Sequence, residues 1–187
     1  QLKKVKLLNE INVGSNDTRI LNICKKHNVK FVKRPNKFCN EKLCTPNEMI
    51  KNMLGYLDGD IVLWAHLTNP FISEDHYNNA LSIFLKTKKN YDSLFSVIDF
   101  KVHYWGHNKK PLNHNPFARK HIVAKNLKPV YSQNGGIFIR YKKEMQKDGR
   151  FIGNNPKMYV MDEISGWDLD YPWQLDIAKF LFKKKYV

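Results

Sequence analysis

The sequence is short of acidic residues and lacks the patterns that identify several common protein classes. It has 17 Asp and Glu residues against 32 Lys and Arg residues, so the formal net charge of the 187 residues is +15. No apolar run approaches the roughly 20 residues that a membrane-spanning helix needs. No G-x-S-x-G, H-E-x-x-H or complete Walker loop occurs. The positive charge by itself favours anionic partners: nucleotides, acidic sugars, nucleic acid or anionic membrane surfaces. Of these we expect nucleotides and acidic sugars, and no membrane.

Cysteine is also scarce. The three cysteines are Cys24, Cys39 and Cys44, and no C-x-x-C occurs. Because the number is odd and the spacing fits no metal knuckle, neither a disulfide framework nor a zinc site is indicated. A reduced, cytoplasmic setting is the simplest interpretation.

What is present is an alternation of strand and helix patterns. The apolar-rich segment Val5–Val13 predicts a strand, and Asp17 after it is a plausible N-cap for a helix. A second β-branched run, Val29–Val32, ends at Arg34-Pro35. Strand, helix and strand in quick succession predict an α/β fold with a central, mostly parallel sheet. We expect residues 1–187 to form a single domain.

The rest of the chain continues this alternation. Thr45-Pro46-Asn47-Glu48 predicts a helix start, with Thr at the cap and Pro at the first helical position. The continuous apolar run Ile61–Ala65 is typical of a strand buried on both faces. The remaining patterns predict a helix at Ser73–Thr87, strands at Tyr91–Phe100, Val130–Tyr141 and Met158–Met161, and a final helix at Trp173–Phe182.

Residues from about 101 to 129 break the pattern. Turn-forming and basic residues dominate this segment, with the aromatic residues Tyr104, Trp105 and Phe117 among them. An oligomerisation arm is the favoured interpretation. Aromatic and basic side chains also occur together on surfaces that bind nucleic acid. Since no binding motif accompanies the charge, nucleic acid is not the partner we expect.

The strongest local signal for chemistry is Asp168-Leu169-Asp170. Alternate residues of an extended segment point the same way, so both carboxylates face one side. Two neighbouring carboxylates repel each other unless a cation lies between them. Mg²⁺ commonly binds one or two carboxylates together with substrate phosphates. The pattern therefore predicts a site for Mg²⁺ (or Mn²⁺) and a triphosphate, although a helix cap or a solvated turn has the same pattern.

Three other positions suggest ligand binding, each with a structural alternative. In Asn134-Gly135 the amide side chain offers a donor and an acceptor, and the glycine allows a ligand to approach the backbone closely. A plain turn or bulge has the same sequence. Arg34 follows a strand, where open α/β sheets bind ligands, but it is equally well a surface Arg. His66 follows the most buried strand and would line the ligand-binding crevice at the ends of the strands, unless its role is structural.

Taken in order, these segments resemble the CMP-sialic acid synthetase (N-acylneuraminate cytidylyltransferase) family. The resemblance runs from about Ile11 to Phe182. Its most specific parts are the loop Leu67–Phe71, the strand Tyr91–Val97, the pair Asn134-Gly135 and the motif Asp168-Leu169-Asp170. It implies a three-layer Rossmann-like nucleotide-diphospho-sugar transferase fold, with residues 101–129 as a dimerisation arm. It also implies a homodimeric, Mg²⁺-dependent enzyme that converts CTP and a sialic-type sugar acid into the CMP-sugar and pyrophosphate.

The resemblance also implies roles for individual residues. The catalytic and metal-binding residues would be Asp168 and Asp170. The nucleotide would be bound by Arg34 and Thr45. The sugar acid would be bound by His66, Thr68, Asn134, Gly135 and Phe138.

The sequence departs from this family at its start. The family opens with a strand and a loop rich in Arg, Gly, Ser and Lys that cradles the triphosphate, whereas this sequence begins after that region, at Gln1. We therefore expect a fragment or a processed form. A non-catalytic homologue that binds a nucleotide, a sugar acid or a partner chain remains the alternative.

Overall fold

The computed structural model describes residues 1–184, and the chain divides into two compact units. Unit 1 consists of Gln1–Ala65, Ile72–Phe95 and Ile137–Lys157. Unit 2 consists of His66–Phe71, Ser96–Gly136 and Met158–Val187, of which 185–187 lie outside the described residues. That the chain forms a single domain stays a prediction.

Unit 1 opens with a strand–helix–strand motif. Strand β1 (Asn12–Ser15), helix α1 (Thr18–Lys26) and strand β2 (Lys30–Lys33) follow one another, and the two strands pair in parallel. The predicted cap is confirmed, because the Asp17 side chain accepts a hydrogen bond from the backbone amide of Arg19. The predicted strand at Val5–Val13 was wrong over most of its length: a short 3-10 turn begins the chain and the strand starts only at Asn12.

The core of unit 1 lies between helices and a sheet edge. Helix α2 (Pro46–Leu54) begins with the predicted capping box. Strand β3 (Ile61–Trp64), helix α3 (Glu74–Thr87) and helix α4 (Lys142–Asp148) follow along the chain. The buried side chains of Ile50, Leu54, Val62 and Met145 form one cluster, which joins α2, β3 and α4. The sequence patterns did not predict the short helix α4. It is stabilised by the burial of Met145, which is 0% exposed, in this cluster.

Three strands contribute residues to both units. They are β4 (Ser93–Phe100), β5 (Val130–Tyr141) and β6 (Pro156–Met161), and the four-stranded sheet has the order β3-β5-β4-β6. Strand β3 pairs antiparallel with the C-terminal half of β5. The structure therefore confirms an α/β fold, with one parallel pair at β1–β2 and one antiparallel pair at β3–β5.

Unit 2 contains the predicted arm and the last helix, α5 (Pro172–Lys183). Residues 101–129 contain only an isolated bridge between Trp105 and Pro111 and a 3-10 turn at Ala124–Asn126. Their irregular backbone agrees with the turn-rich sequence. Within residues 1–184 the structure shows no helix that is both long and apolar enough to cross a membrane.

Candidate active site

Within unit 2, one loop is hydrogen-bonded to the residues on both sides of Asp168. The loop after β3 supplies Thr68 and Asn69, and the segment after β6 supplies Trp167 and Leu169. The backbone amide of Leu169 donates to the carbonyl of Thr68 over 2.9 Å. The side-chain amide of Asn69 donates to the carbonyl of Trp167 over 3.3 Å. The residues before and after Asp168 are therefore both hydrogen-bonded to the same loop.

A buried polar network supports this arrangement. The Ser96 hydroxyl donates to Asn134 Oδ1 over 2.6 Å, and Asn134 Nδ2 donates to the carbonyl of Gly166 over 2.8 Å. The carbonyl of Asn134 accepts from Asn69 Nδ2 over 2.9 Å. Asn134 is 3% exposed, and both ends of its side chain are bonded to protein. Asn134, which was predicted to contact the sugar, therefore connects separate segments of unit 2 by hydrogen bonds in this structure. Ser96 and Asn69 were not predicted as site residues, because nothing in their sequence positions indicates burial.

His66, Gly135 and Asp168 lie close together in unit 2. Gly135 has φ +71°, a conformation that favours glycine. A Cβ atom at Gly135 would lie 2.9 Å from His66 Nδ1 and 3.8 Å from Asp168 Oδ2. Gly135 is thus required both by its backbone conformation and by the close approach of His66. The sequence motif predicted a close approach of a ligand to this backbone, which stays a prediction; the neighbour in the structure is the His66 side chain.

The charge state of His66 follows from its surroundings. Although the residue is partly exposed, burial of part of the ring lowers the pKa of His66, and the negative charge of Asp168 opposes this shift. A pKa below the usual value of about 6.5 leaves the imidazole neutral near pH 7. Neutral imidazole offers one hydrogen-bond donor and one acceptor to its surroundings.

The two predicted metal ligands differ in their environments. Asp168 Oδ1 is buried and has no hydrogen-bond partner among the described residues. Asp170 is exposed, and its backbone amide donates to Gln174 Oε1 over 2.6 Å at the start of α5. No group of three or more His, Cys, Asp or Glu side chains in residues 1–184 could hold a metal ion. Any divalent cation here would depend on one or two carboxylates and on ligands from the substrate.

Arg34 and Thr45, which were predicted to bind the nucleotide, lie in unit 1, and both form hydrogen bonds with helix α2. Arg34 is 6% exposed; its Nε donates to Asn52 Oδ1 over 3.0 Å and its Nη2 donates to the carbonyl of Met49 over 2.6 Å. Thr45 caps the helix, and its backbone amide and hydroxyl both donate to Glu48 Oε2. Burial excludes the interpretation of Arg34 as a solvated surface residue.

A cleft of about 710 Å³ lies beside Thr45 in unit 1. Its volume is within the usual range of small-molecule sites. The wall combines apolar and thiol groups with amide side chains that can recognise a polar ligand. The lining residues are Asn16, Asn36, Cys39, Asn40, Glu41, Leu43, Cys44, Thr45, Pro46 and Met49.

Phe138 lies in the interior of unit 1, in the half of β5 that pairs with β3. It is 1% exposed, its register partner is Trp64, and its ring stacks on Phe151 with 4.7 Å between the centroids. A ring packed in this way offers no surface to a sugar. The structure therefore gives Phe138 a core position and does not bring it to the surface of the candidate site.

One comparison with known proteins gives a family for the chain. A family model described as cytidylyltransferase matches residues 1–165. No curated protein matches the sequence.

Several solved structures share the fold. The chain is 14% identical to 4-diphosphocytidyl-2C-methyl-D-erythritol synthase from Anaerococcus prevotii, with a TM-score of 0.67, covering 97% of this chain and 82% of that one. It is 13% identical to CMP:2-keto-3-deoxy-manno-octonic acid synthetase complexed with CTP, with a TM-score of 0.66, covering 98% and 84%. For the bifunctional IspDF of Campylobacter jejuni the identity is 13%, the TM-score 0.59 and the coverage 94% and 43%. The first two confirm a Rossmann-like nucleotidyltransferase fold.

Proposed function

The chain belongs to the cytidylyltransferase family, and from this premise we propose that it transfers CMP from CTP to a sialic-type sugar acid and releases pyrophosphate. The class of enzyme, a nucleotidyltransferase that uses CTP, follows from the family. The acceptor and the residues that act on it are our proposal.

The observation that carries the proposal is the buried, unpartnered oxygen of Asp168. A buried carboxylate oxygen without a partner is costly, because it loses water and gains no hydrogen bond in return. Such atoms are uncommon in folded proteins and need an explanation. A ligand that supplies a cation or a donor at Asp168 Oδ1 would remove the cost. Asp168 also lies beside His66, whose ring packs closely against the glycine at position 135.

We propose that Asp168 and Asp170 hold Mg²⁺ or Mn²⁺. The carboxylates are hard oxygen donors, and the unsatisfied Oδ1 of Asp168 fits a divalent cation that takes its remaining ligands from phosphates. When bound, such a cation polarises phosphoryl oxygens and lowers the pKa of an attacking hydroxyl. The neutral imidazole of His66 would orient the acceptor by hydrogen bonding. Thr68 would contribute a side-chain hydroxyl, and Gly135 would let His66 lie close to the backbone.

Taken by itself, unit 1 has the cleft beside Thr45, which we propose as a site for a pyrimidine base. Three asparagine side chains, Asn16, Asn36 and Asn40, line this cleft and offer both donors and acceptors. A pyrimidine base presents both kinds of group. The buried Arg34 would act by fixing α2 and the cleft wall through its bonds to Asn52 and Met49.

An acidic sugar is supported by the sequence resemblance and by the charge of the chain. The net charge of +15 favours both a triphosphate and a carboxylate. One structural neighbour is described as a synthetase for a keto sugar acid, and another for a methylerythritol. The acceptor must therefore be tested against both alternatives.

The proposal is tested by pyrophosphate release from CTP and Mg²⁺ with three acceptors: a sialic-type acid, 2-keto-3-deoxy-manno-octonic acid and a phosphorylated methylerythritol. We expect the sialic-type acid to give the highest kcat/KM. The Asp168→Ala/Asp170→Ala variant should lose on the order of 10³-fold in kcat, as expected for removal of charge stabilisation in a transition state. Unchanged release in this variant, with intact folding, would show that the metal assignment is wrong.

We also propose that residues 101–129 mediate homodimerisation. This arm exposes large apolar side chains, which are costly in a monomer. Phe117 is 89% exposed, Leu112 61% and Trp105 53%. Sedimentation velocity of the chain at micromolar concentration should detect a dimer, and a Phe117→Ser variant should weaken it; a monomer at all concentrations would contradict the proposal.

A further inference from the structure

We infer that Asn69 is a positioning residue that fixes Asp168 for the proposed reaction; the inference rests on the proposed function. Asn69 lies in the loop Leu67–Phe71, which is among the most specific parts of the family resemblance. Its burial and bonding give it this positioning role.

Asn69 joins two segments of unit 2 to its own loop. It is 4% exposed. Its Nδ2 donates to the carbonyl of Asn134 over 2.9 Å, to that of Trp167 over 3.3 Å and to that of Gly166 over 3.4 Å. The group has only two hydrogens, so the two longer contacts share one of them. One buried amide thus joins the glycine-containing part of β5 and the segment leading to Asp168.

These bonds act on Asp168 through its neighbours. Trp167 is bonded to Asn69, and Leu169 is bonded to the backbone of Thr68. With both neighbours fixed, the backbone of Asp168 cannot turn toward solvent without breaking one of these bonds. The carboxylate is then kept with its Oδ1 buried and unpartnered, although hydration would stabilise it. The free energy for holding this oxygen has to come from the surrounding bonds, and the Asn69 amide supplies several of them.

The other end of the Asn69 side chain supports a functional role. Its three partners are carbonyl oxygens, so the amino group must face them and the direction of the amide is fixed. Asn69 Oδ1 therefore faces the opposite way, where it is buried and has no partner among residues 1–184. Buried polar atoms without a partner are uncommon in folded proteins, so this oxygen needs an explanation beyond the bonds that Nδ2 makes. Two unsatisfied acceptors, on Asn69 and on Asp168, thus belong to segments joined by the same hydrogen bonds.

The test compares two leucine substitutions. Asn69→Leu keeps the approximate size of the side chain and removes its donor. Asn47→Leu is the control for loss of a bridging amide: Asn47 is exposed, unlike Asn69, but its Nδ2 also bridges two backbone carbonyls, of Asp148 over 3.2 Å and of Gly149 over 3.0 Å, within unit 1. Mn²⁺ binding to the full chain is measured by electron paramagnetic resonance, with thermal unfolding and the kcat and KM for CTP measured in parallel.

We expect Asn69→Leu to weaken Mn²⁺ binding by about 10- to 100-fold, the usual effect of losing a group that orients a metal ligand. Its kcat should fall by a similar factor while KM for CTP changes less than twofold. Asn47→Leu should lower the unfolding temperature and leave Mn²⁺ affinity and kcat within twofold. If Asn69→Leu does not fold, Asn69→Ser, which shortens the donor without adding bulk, takes its place.

An Asp168→Asn variant separates failure of the inference from failure of the proposed function. If Asp168→Asn weakens Mn²⁺ binding but the Asn69 variant binds as tightly as the wild type, the inference is overturned and the function stands. Equal losses in the Asn69 and Asn47 variants would also overturn it, since they would reflect stability alone. If Asp168→Asn itself binds Mn²⁺ normally, the proposed metal role is wrong, and Asn69 has no ligand to position.

Discussion

Two half-buried aspartates, Asp148 in unit 1 and Asp168 in unit 2, have opposite surroundings. Both oxygens of Asp148 are occupied: Arg140 donates to each of them, over 2.7 and 2.9 Å, and the backbone and side chain of Arg150 donate as well. Asp168 Oδ1 has no partner among the described residues. The first carboxylate is fully used by the fold, whereas the second retains capacity for a ligand.

This difference separates a carboxylate that stabilises the chain from one that the chain must hold in place. Burial alone would raise the pKa of Asp148, but its hydrogen bonds with Arg140 and Arg150 outweigh this effect and hold the pKa well below its usual range. Arg140 is itself 5% exposed, so its charge depends on Asp148 for compensation. Among the described residues no arginine or lysine side chain bonds to Asp168, and its neighbours Trp167 and Leu169 are hydrogen-bonded to the loop at 68–69.

The strongest test of the comparison makes the same substitution at both aspartates. Asp148→Asn leaves the guanidinium of Arg140 buried without its counter-charge, and we expect a loss of about 3 kcal/mol in the free energy of unfolding. Asp168→Asn removes a charge that no protein group compensates, so stability should stay within about 0.5 kcal/mol or rise. Urea unfolding followed by circular dichroism measures both values.

Activity should respond in the reverse order. The folded Asp148→Asn enzyme should keep kcat within about twofold, because Asp148 lies outside the candidate site, whereas Asp168→Asn should lose most of its activity. If Asp168→Asn proved the more destabilising of the two, the distinction between a structural and a ligand-binding carboxylate would be wrong.

A second test sharpens the comparison at the glycines of the two units. Gly59 in unit 1 and Gly135 in unit 2 both have positive φ, but a Cβ at Gly59 would meet nothing within 4 Å, while one at Gly135 would approach His66. Gly59→Ala should lower the free energy of unfolding by about 1 kcal/mol, the cost of placing a side chain at positive φ. Alanine at Gly135 should cost about 1 kcal/mol more and lower kcat about tenfold, because His66 must shift.

Unfolding and pyrophosphate assays of the two alanine variants check this prediction. Equal changes in stability together with unchanged activity in Gly135→Ala would mean that the contact between His66 and position 135 has no functional weight.

Local signals in the sequence predicted the elements well. The Asp17 cap, the Thr45 capping box and the exact bounds Val130–Tyr141 of β5 are confirmed. These features depend on residues a few positions apart, so the pattern contains all the information needed. The first strand was placed too early because its apolar residues resemble a strand locally, although only Asn12–Ser15 finds a partner in β2.

The roles of individual site residues were much harder to predict, because they depend on contacts between distant parts of the chain. The contact between Asn69 and Gly166 spans 97 positions. No local pattern shows that Asn134 is bonded at both ends of its side chain, or that the aromatic ring at Phe138 stacks in the core. The family resemblance assigned roles to positions along the chain, and those roles stay predictions; the structure distinguishes residues with unsatisfied groups from residues that support them.

The smallest expected effect is the dependence of stability on pH, which tests the Asp148 side of the comparison without disrupting the fold. The pKa of Asp148 is lower in the folded than in the unfolded chain, so its stabilisation is present above the unfolded pKa of about 3.9 and is lost as pH falls through that value and below. By pH 4 the wild type should have lost about 0.3 kcal/mol of this contribution, and the loss should grow steeply toward pH 3. Asp148→Asn cannot titrate and should lack this part of the acid sensitivity.

Asp92 also has a lowered pKa, since backbone hydrogen bonds from Asn154 and Asn155 outweigh its burial, but it is present in both proteins and cancels in the difference. Urea midpoints at pH 7, 4 and 3 measure that difference. Parallel acid profiles for the two proteins would show that the Arg140–Asp148 pair contributes no stability and that Asp148, like Asp168, is held by its neighbours.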